Sequence, residues 1–450
     1  MKKDKIIIIG AGLVGSLLSI FLAKKGYTVH IYERRSDMRQ EEMSAGRSIN
    51  LALSDRGIKA LNEVGIMEEI RTIAIPMPGR LIHNLDGSTV FQPYGNEGQA
   101  IHSVSRAELN CKLMDLAEQY GVNIIFNKKC THIDWDKSEV KFENEESTAS
   151  EIIPFELLFG ADGAFAATRL QHMLRHDKFD YNQYYIDCGY KELTIPSGTH
   201  GSFLLEKNAL HIWPRKEYML IALPNMDGSF TCTLFFPFEG EKSFDKLDNP
   251  ENVQLFFEKE FAEAISLIPD LVEQFFKNPI ASLVTVKCFP WIREDKFSLI
   301  GDAAHAVVPF YGQGMNCGFE DCLVLNNLID EFDHDWNLIL EKFQYLRKPD
   351  ADAIADMAID NFIEMRAKTA DPKFLLQKKI EAKMQAKYPE LWIPSYAQVT
   401  FRPDIRYSEA FKNSRKQEAI MKEIMIHPHI EKLWETDEII EMIYSKIQEA

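Results

Sequence analysis

The chain has 450 residues, 46% of them hydrophobic and 26% charged, an ordinary globular composition with room for two or three cores. Its 51 Lys and Arg stand against 68 Asp and Glu; the resulting formal charge of −17 would repel a nucleic-acid backbone or an anionic membrane surface. Seven scattered cysteines without a CxxC pair read as reduced thiols of a cytoplasmic protein, which argues against a disulfide framework or a zinc ribbon. The opening MKKDKIIII is basic and then apolar, but Gly10 and Gly12 interrupt it, and no window approaches the roughly 20 apolar residues of a membrane helix.

In chain order, Lys5 to Ile9 is a β-branched run suited to a strand buried on both faces. Leu13, Leu17 and Phe21 then recur at helical spacing, and Thr28 to Tyr32 returns to strand character. Strand, glycine turn, helix, strand is the βαβ start of a dinucleotide-binding α/β fold. A helix is expected from Ser54 to about Val64, with Ser54 as N-cap and Gly65 at C′, and another from Arg106 to Tyr120, capped by Ser105 and ended by Gly121. Between about Tyr184 and Phe238 the segments alternate like a mostly antiparallel sheet. Residues 240 to 280 look helical, and Leu283 to Cys288 and Phe297 to Ile300 look like strands. From Trp336 onward the chain is rich in helix formers, with breaks expected at Pro349, Pro372, Pro389, Pro394 and Pro403.

Gly10-Ala-Gly12-Leu-Val-Gly15 follows a strand and opens a helix, the context in which GxGxxG is informative. Gly10 permits the turn, Gly12 lets backbone approach a pyrophosphate, and Gly15 allows close helix packing; the helix N-terminus offers N–H groups to the phosphates. Glu33 ends the second strand, placed to accept from an adenosine ribose, which suits FAD or NAD better than NADP. A second site lies in Phe297-Ser-Leu-Ile-Gly301-Asp302-Ala-Ala-His305 and the following Pro309-Phe-Tyr-Gly-Gln-Gly314-Met315-Asn316. A flavin needs such a site because its ribityl chain and ring extend beyond the adenosine pocket. Asp302 suits a ribityl hydroxyl, and the N–H groups of Gly314, Met315 and Asn316 suit the ring edge where charge collects on reduction. Between the two stands Leu157-Leu-Phe-Gly160-Ala161-Asp162-Gly163, followed by Arg169. His172 and His176 are four apart but lack a third ligand, so no metal is expected.

These three elements in this order resemble the class A FAD-dependent aromatic hydroxylases. The segments Gly46-Arg47-Ser-Ile-Asn50, Gln92-Pro93-Tyr94-Gly95, Ala209-Leu-His211-Ile-Trp213-Pro and Gly301 to Cys317 make the chain similar to the kynurenine 3-monooxygenase family, up to about residue 405. The resemblance implies a discontinuous Rossmann-like, p-hydroxybenzoate-hydroxylase-like FAD domain (1–70, 100–180 and 281–335). It also implies an antiparallel substrate sheet (71–99 and 181–280) and a C-terminal helical region (336–450). It implies that NADPH reduces bound FAD, that O₂ adds to give a C4a-hydroperoxyflavin, and that L-kynurenine becomes 3-hydroxykynurenine, a step of tryptophan catabolism toward quinolinate and NAD. An electron-rich arylamine needs positioning and exclusion of water more than a strong base.

By the same resemblance, Arg80 and Tyr94 hold the substrate carboxylate, Asn361 and Tyr396 complete its amino-acid end, Arg47 and Arg106 contact the flavin side, and Pro309 lies over the flavin face. Ala166 stands where the family often has Ser, and Tyr311 where a His is common. The tail from Arg402 to Ala450 is expected to pack as a helical cover over the substrate opening. A flavin halogenase shares the fingerprint, but its Trp-x-Trp-x-Ile-Pro pattern is missing from the sequence. A flavin-binding regulator without activity is the rival of another class.

Overall fold

The computed structural model describes residues 5–40, 49–95, 98–144, 147, 149–367 and 372–449. The isoleucine run Lys5–Ile9 is central to a six-stranded sheet, with Thr28–Tyr32 and Leu157–Gly160 parallel on either side. Ile6, Ile7 and Ile8 are all fully buried, because helices and a further layer cover both faces. Phe297–Leu299 joins parallel to Leu157–Gly160, and Asn123–Ile125 extends the other edge. The helix Leu13–Lys24 crosses between the first two strands, and the helix Gly314–Glu331 packs against it. Residues 129–154 add a three-stranded meander that the sequence reading did not anticipate.

A seven-stranded sheet runs in the order Ile280–Phe289, Asp180–Ile195, Phe230–Pro237, Tyr218–Pro224, Leu210–Arg215, Gly79–His83 and Thr89–Pro93. Its pairs are antiparallel except Leu210–Arg215 with Gly79–His83. One face packs on the helices of residues 250–277 through Leu193, Trp213, Phe236 and Phe257, and the other faces the Pro309–Tyr311 turn through Ile212, Met219 and Phe235. The two faces use alternate residues of each strand.

The C-terminal region is helical, with a small core of its own around Ile380, Trp392, Met421 and Ile440. The expected break at Pro349 does not occur: one helix spans Trp336–Ala367 with Pro349 inside it. An interior proline costs roughly 3 kcal/mol. Ties on both sides offset it, Arg347 to Asp321 and Glu320 before it, and Asp350 to the Ser408 N–H and Arg406 after it. Pro372 starts a helix, Pro372–Lys387, and Pro394 is the N-cap of Ser395–Phe401. Ser54 stands at the N-cap of Asp55–Glu63 as expected, but its buried hydroxyl makes no capping bond. Its own N–H is held by Asn316 instead, which fixes the helix entry from outside. Ser105 does cap Arg106–Gln119, accepting from the Glu108 N–H. Among the described residues, no helix is long and apolar enough to cross a membrane.

Candidate active site

The three fingerprint glycines answer three different constraints. Gly10 has φ +105°, and a Cβ there would lie 2.5 Å from the Ala161 carbonyl oxygen. A Cβ on Gly15 would lie 2.0 Å from the Gly10 carbonyl oxygen, so helix and turn touch only because it is glycine. At Gly12 a Cβ would meet nothing within 4 Å, so this glycine answers to no protein neighbour and leaves space at the helix N-terminus. That space, with uncapped N–H groups and no acidic residue in the first turn, suits a pyrophosphate. Glu33 is held at the mouth by the Ala11 N–H, 2.9 Å from its Oε2, and by the Arg35 N–H, 3.1 Å from its Oε1.

Asp302 begins a short helix, half-buried, and makes no hydrogen bond to any described residue. Burial pushes its carboxyl up, while the charges of Arg106 and His305 oppose the rise. A half-buried carboxylate without a protein donor fits the ribityl hydroxyl expected there. The helix Gly314–Glu331 also starts without a side-chain cap or an acidic first turn, which leaves the N–H groups of Gly314, Met315 and Asn316 to serve a flavin edge. The Asn316 side chain is already occupied. Its Nδ2 donates to Ala52 O at 2.8 Å and Gly312 O at 2.9 Å, and its Oδ1 accepts the Ser54 N–H at 2.9 Å. Pro309 is exposed at the start of the Pro309–Tyr311 turn. The residues present therefore fit FAD; Arg47 lies outside the described residues.

At the end expected to hold substrate, Arg80 extends from the Gly79–His83 strand with its Nε 2.8 Å from Gln92 Oε1 on the neighbouring strand. Its charge acts on two phenols, Tyr94 and Tyr396, whose rings stack at 5.4 Å. Burial pushes the Tyr94 phenol well above its ordinary value and Tyr396 to about 12, with Arg80 opposing both, so both remain neutral donors. Tyr311 continues the stack at 5.8 Å from Tyr396 and shares a 2.8 Å hydrogen bond with Ser395. Asn361 is tied to this turn from the long helix: its Nδ2 donates to Phe310 O at 2.7 Å. Phe310 stacks on Phe362 at 4.4 Å and meets Phe235 of the sheet at 5.3 Å. The expected substrate residues thus gather from four elements around one aromatic turn, and that turn is continuous with the flavin loop.

The FAD binding domain family model matches residues 3–332. Kynurenine 3-monooxygenase of Flavobacterium johnsoniae is 51% identical over 445 residues, 99% of each chain. That of Christiangramia forsetii is 49% identical over 449 residues, 100% of each. The chain belongs to the kynurenine 3-monooxygenase family. Its membership extends to the animal protein of Sus scrofa, 42% identical over 94% of this chain and 88% of that one. Among solved structures, 2-methyl-3-hydroxypyridine-5-carboxylic acid oxygenase aligns with TM-score 0.67 at 19% identity, covering 83% of this chain and 95% of its own. Pseudomonas aeruginosa PqsL in complex with 2-aminobenzoylacetate aligns at 0.64 and 18%, covering 81% and 96%. These two share the fold, and the expected α/β flavin unit with an antiparallel sheet and C-terminal helices is the one this family member adopts.

The departures from the family pattern have local answers. Ala166 is a helix N-cap without a side-chain bond, and Asp162 serves that end instead, accepting from the Thr168 N–H at 3.0 Å and from its hydroxyl at 2.6 Å. Arg169 clamps the same loop to the Asp302 helix through Ala164 O and Ala303 O, at 2.6 and 2.8 Å. His172 is pushed down to about 3 by burial among Trp135, Phe179 and Phe297.

The sequence reading missed the group beneath the flavin loop. Asp321, fully buried, accepts from His305 Nε2 at 2.6 Å, the Gly301 N–H at 3.1 Å and Arg347 Nε at 2.6 Å. His305, Cys317 and Asp321 have ligand-type atoms within 4.8 Å of one another. Arg347 donates to both Asp321 and Cys317, so a guanidinium already supplies the cation there. The Asp and Arg are 26 residues apart on two helices, and no motif links them.

Proposed function

We propose that this protein is a cytoplasmic FAD-dependent monooxygenase that converts L-kynurenine to 3-hydroxykynurenine with NADPH and O₂. The observation that carries the reading is the joining of Arg80, Tyr94 and Tyr396 to the Phe310–Tyr311 turn, which supports an amino-acid binding end next to a flavin cradle. Seven free cysteines, six of them buried, support a reducing compartment. In the same reading the chain divides into FAD-binding residues 1–70, 100–180 and 281–335, a substrate sheet of 71–99 and 181–280, and a helical region of 336–450.

When bound, FAD accepts hydride from NADPH and activates O₂ for delivery of an electrophilic oxygen to the ring. The protein's part is placement. Arg80 donates two parallel bonds to the carboxylate, and its planar fork sets the carboxylate's orientation as well as its position. The neutral phenols of Tyr94 and Tyr396 add donors without adding charge. Asn361, by holding the Phe310 carbonyl, fixes the turn against which the aromatic ring lies. Phe235, Phe310 and Phe362 make the surrounding wall apolar and keep water from the oxygen being transferred. The arylamine activates its own ring, so no base need be built in. At −17 overall, the anionic substrates are drawn by local arginines against the global field.

The test is to purify the yellow protein and follow NADPH consumption with and without L-kynurenine while assaying 3-hydroxykynurenine by chromatography. Stimulated oxidation with stoichiometric product is expected. NADPH oxidation without hydroxylated product would reject the substrate, and no oxidation at all would favour a silent flavin-binding regulator.

A further inference from the structure

On the face of the seven-stranded sheet turned away from the aromatic turn, two buried histidines form a chain of hydrogen bonds. His83 Nδ1 lies 2.9 Å from Glu263 Oε2, His83 Nε2 lies 2.9 Å from His211 Nδ1, and His211 Nε2 lies 2.9 Å from the Glu206 carbonyl oxygen. His83 is 4% and His211 0% exposed, and Trp213 stacks on His83 at 4.2 Å. Each contact needs one proton. The Glu206 carbonyl can only accept, so His211 carries its proton on Nε2 and accepts at Nδ1. His83 must then donate from Nε2. Its Nδ1 faces a carboxylate, which also accepts unless it is itself protonated. Two neutral imidazoles bring two protons to three contacts, so a third proton must be bound between His83 and Glu263.

The position of this chain gives it a consequence. His83 ends the Gly79–His83 strand, which carries Arg80, and that strand is joined to Leu210–Arg215 by the sheet's one parallel pairing among the described residues. Leu210 is the register partner of Arg80 and packs against the same small core as Tyr94 and Tyr396; one residue further along each strand, the side chains turn to the opposite face. The histidine bridge therefore fastens the same two strands from behind.

We propose that His83, His211 and Glu263 are positioning residues that hold the Arg80 strand in place through a proton-dependent chain, so that kynurenine capture weakens when its third proton is lost. This rests on the reading of Arg80 as the carboxylate anchor. The other charged groups facing the chain are Arg215, whose Nη1 donates to the His83 carbonyl at 3.1 Å, and the Glu206 carboxylate. Glu260 lies behind them: its carbonyl accepts from Arg215 Nε, and its carboxylate pairs with Lys242. Burial pushes His211 down to about 4, which keeps it neutral. Burial also pushes His83 down, with Glu263 opposing, so the third proton is lost below the ordinary imidazole range. The complete chain belongs to the acidic side, and raising the pH breaks one of its bonds.

Glu263→Gln tests this directly, because a glutamine Nε2–H can donate to a neutral His83 Nδ1 and complete the chain without the extra proton. In wild type, the kynurenine KM is expected to rise about three- to tenfold between about pH 5 and about pH 8, the worth of one lost hydrogen bond, with kcat at saturation changing much less. In Glu263→Gln the KM should stay low and flat across that range. The same substrate ionisations act on both proteins, so a variant profile parallel to wild type would overturn the inference. ¹⁵N spectra of the histidine side chains in the holoenzyme give a readout independent of turnover. A charged and a neutral imidazole are expected in wild type at the acidic end, and two neutral ones in Glu263→Gln. Two neutral imidazoles in wild type throughout, with the Glu263 carboxyl ionised and all three contacts kept, would also overturn it. Absence of 3-hydroxykynurenine at every pH would instead reject the proposed function and leave the proton count to the spectra.

Discussion

Arg347 Nε lies 2.6 Å from Asp321 Oδ1, and both side chains are cut off from solvent between the flavin loop and the long C-terminal helix. The same guanidinium reaches Glu320 at 2.6 Å and Asp350 at 3.3 Å, and each of these has a second arginine, Arg56 for Glu320 and Arg406 for Asp350, so Asp321 depends most on Arg347. Arg347→Met would leave Asp321 buried and short of a partner. Breaking such a buried pair costs about 3–5 kcal/mol, and a lower urea midpoint is expected. Because Asp321 also holds the Gly301 N–H, flavin content per chain should fall as well. An unchanged midpoint would show that the carboxylates find other partners.

Two of the fingerprint glycines should respond to alanine in opposite ways. Gly15→Ala places a methyl 2.0 Å from a backbone carbonyl and should prevent stable folding. Gly12 has φ −73° and an empty Cβ position, so Gly12→Ala should fold with wild-type circular dichroism. Its methyl would, however, stand where the pyrophosphate approaches, and weaker FAD retention on gel filtration is the expected result. Full retention of FAD by Gly12→Ala would remove the phosphate from that space.

Arg80→Lys keeps the charge and loses the planar fork. Kynurenine KM should rise about tenfold or more, the equivalent of roughly 1.4 kcal/mol, with a smaller effect on kcat. Tyr396→Phe should act in the same direction by removing one neutral donor. Steady-state kinetics with unchanged KM for both would detach the carboxylate from this end of the pocket.

Glu192 lies on the sheet near Arg106, and burial pushes its carboxyl up to about 7, with Arg106 opposing. The folded state therefore holds this proton more tightly than the unfolded chain does. As pH rises from the ordinary glutamate value through about 7, the unfolded chain ionises first, and stability is lost over that window. Glu192→Gln escapes the loss. Its Tm should match wild type near pH 4.5 and exceed it at about pH 8; equal Tm values at both would mean the carboxylate is effectively solvated.

Much of the candidate flavin cradle was legible as local structure because its constraints are local. A β-branched run, a turn that only glycine can make, and a helix start follow one another within about twenty residues, and each leaves its mark on residue type. The Gly301-Asp302 segment was legible for the same reason. The proposed substrate residues were not readable from spacing: Arg80, Tyr94, Asn361 and Tyr396 come from four separate segments of the chain, and only the family resemblance pointed to them. Pro349 shows the converse error. Its propensity argues for a helix break, but ion pairs from Arg347 and Asp350 to other elements outweigh it.

By itself the sequence determined an acidic α/β flavin protein of the kynurenine 3-monooxygenase family, with a glycine turn at Gly10 to Gly15 and a carboxylate at Asp302 that we propose serve the phosphates and the ribityl chain. Those features depend on neighbours along the chain and on strong conformational rules. Only the tertiary structure decided that Asn316 spends its amide on Ser54, Ala52 and Gly312, that Arg347 neutralises Asp321, and that His83 meets His211 across 128 residues. Hydrogen bonds and buried charges are satisfied by whatever the fold brings within about 3 Å, and that proximity has no period or spacing in the sequence.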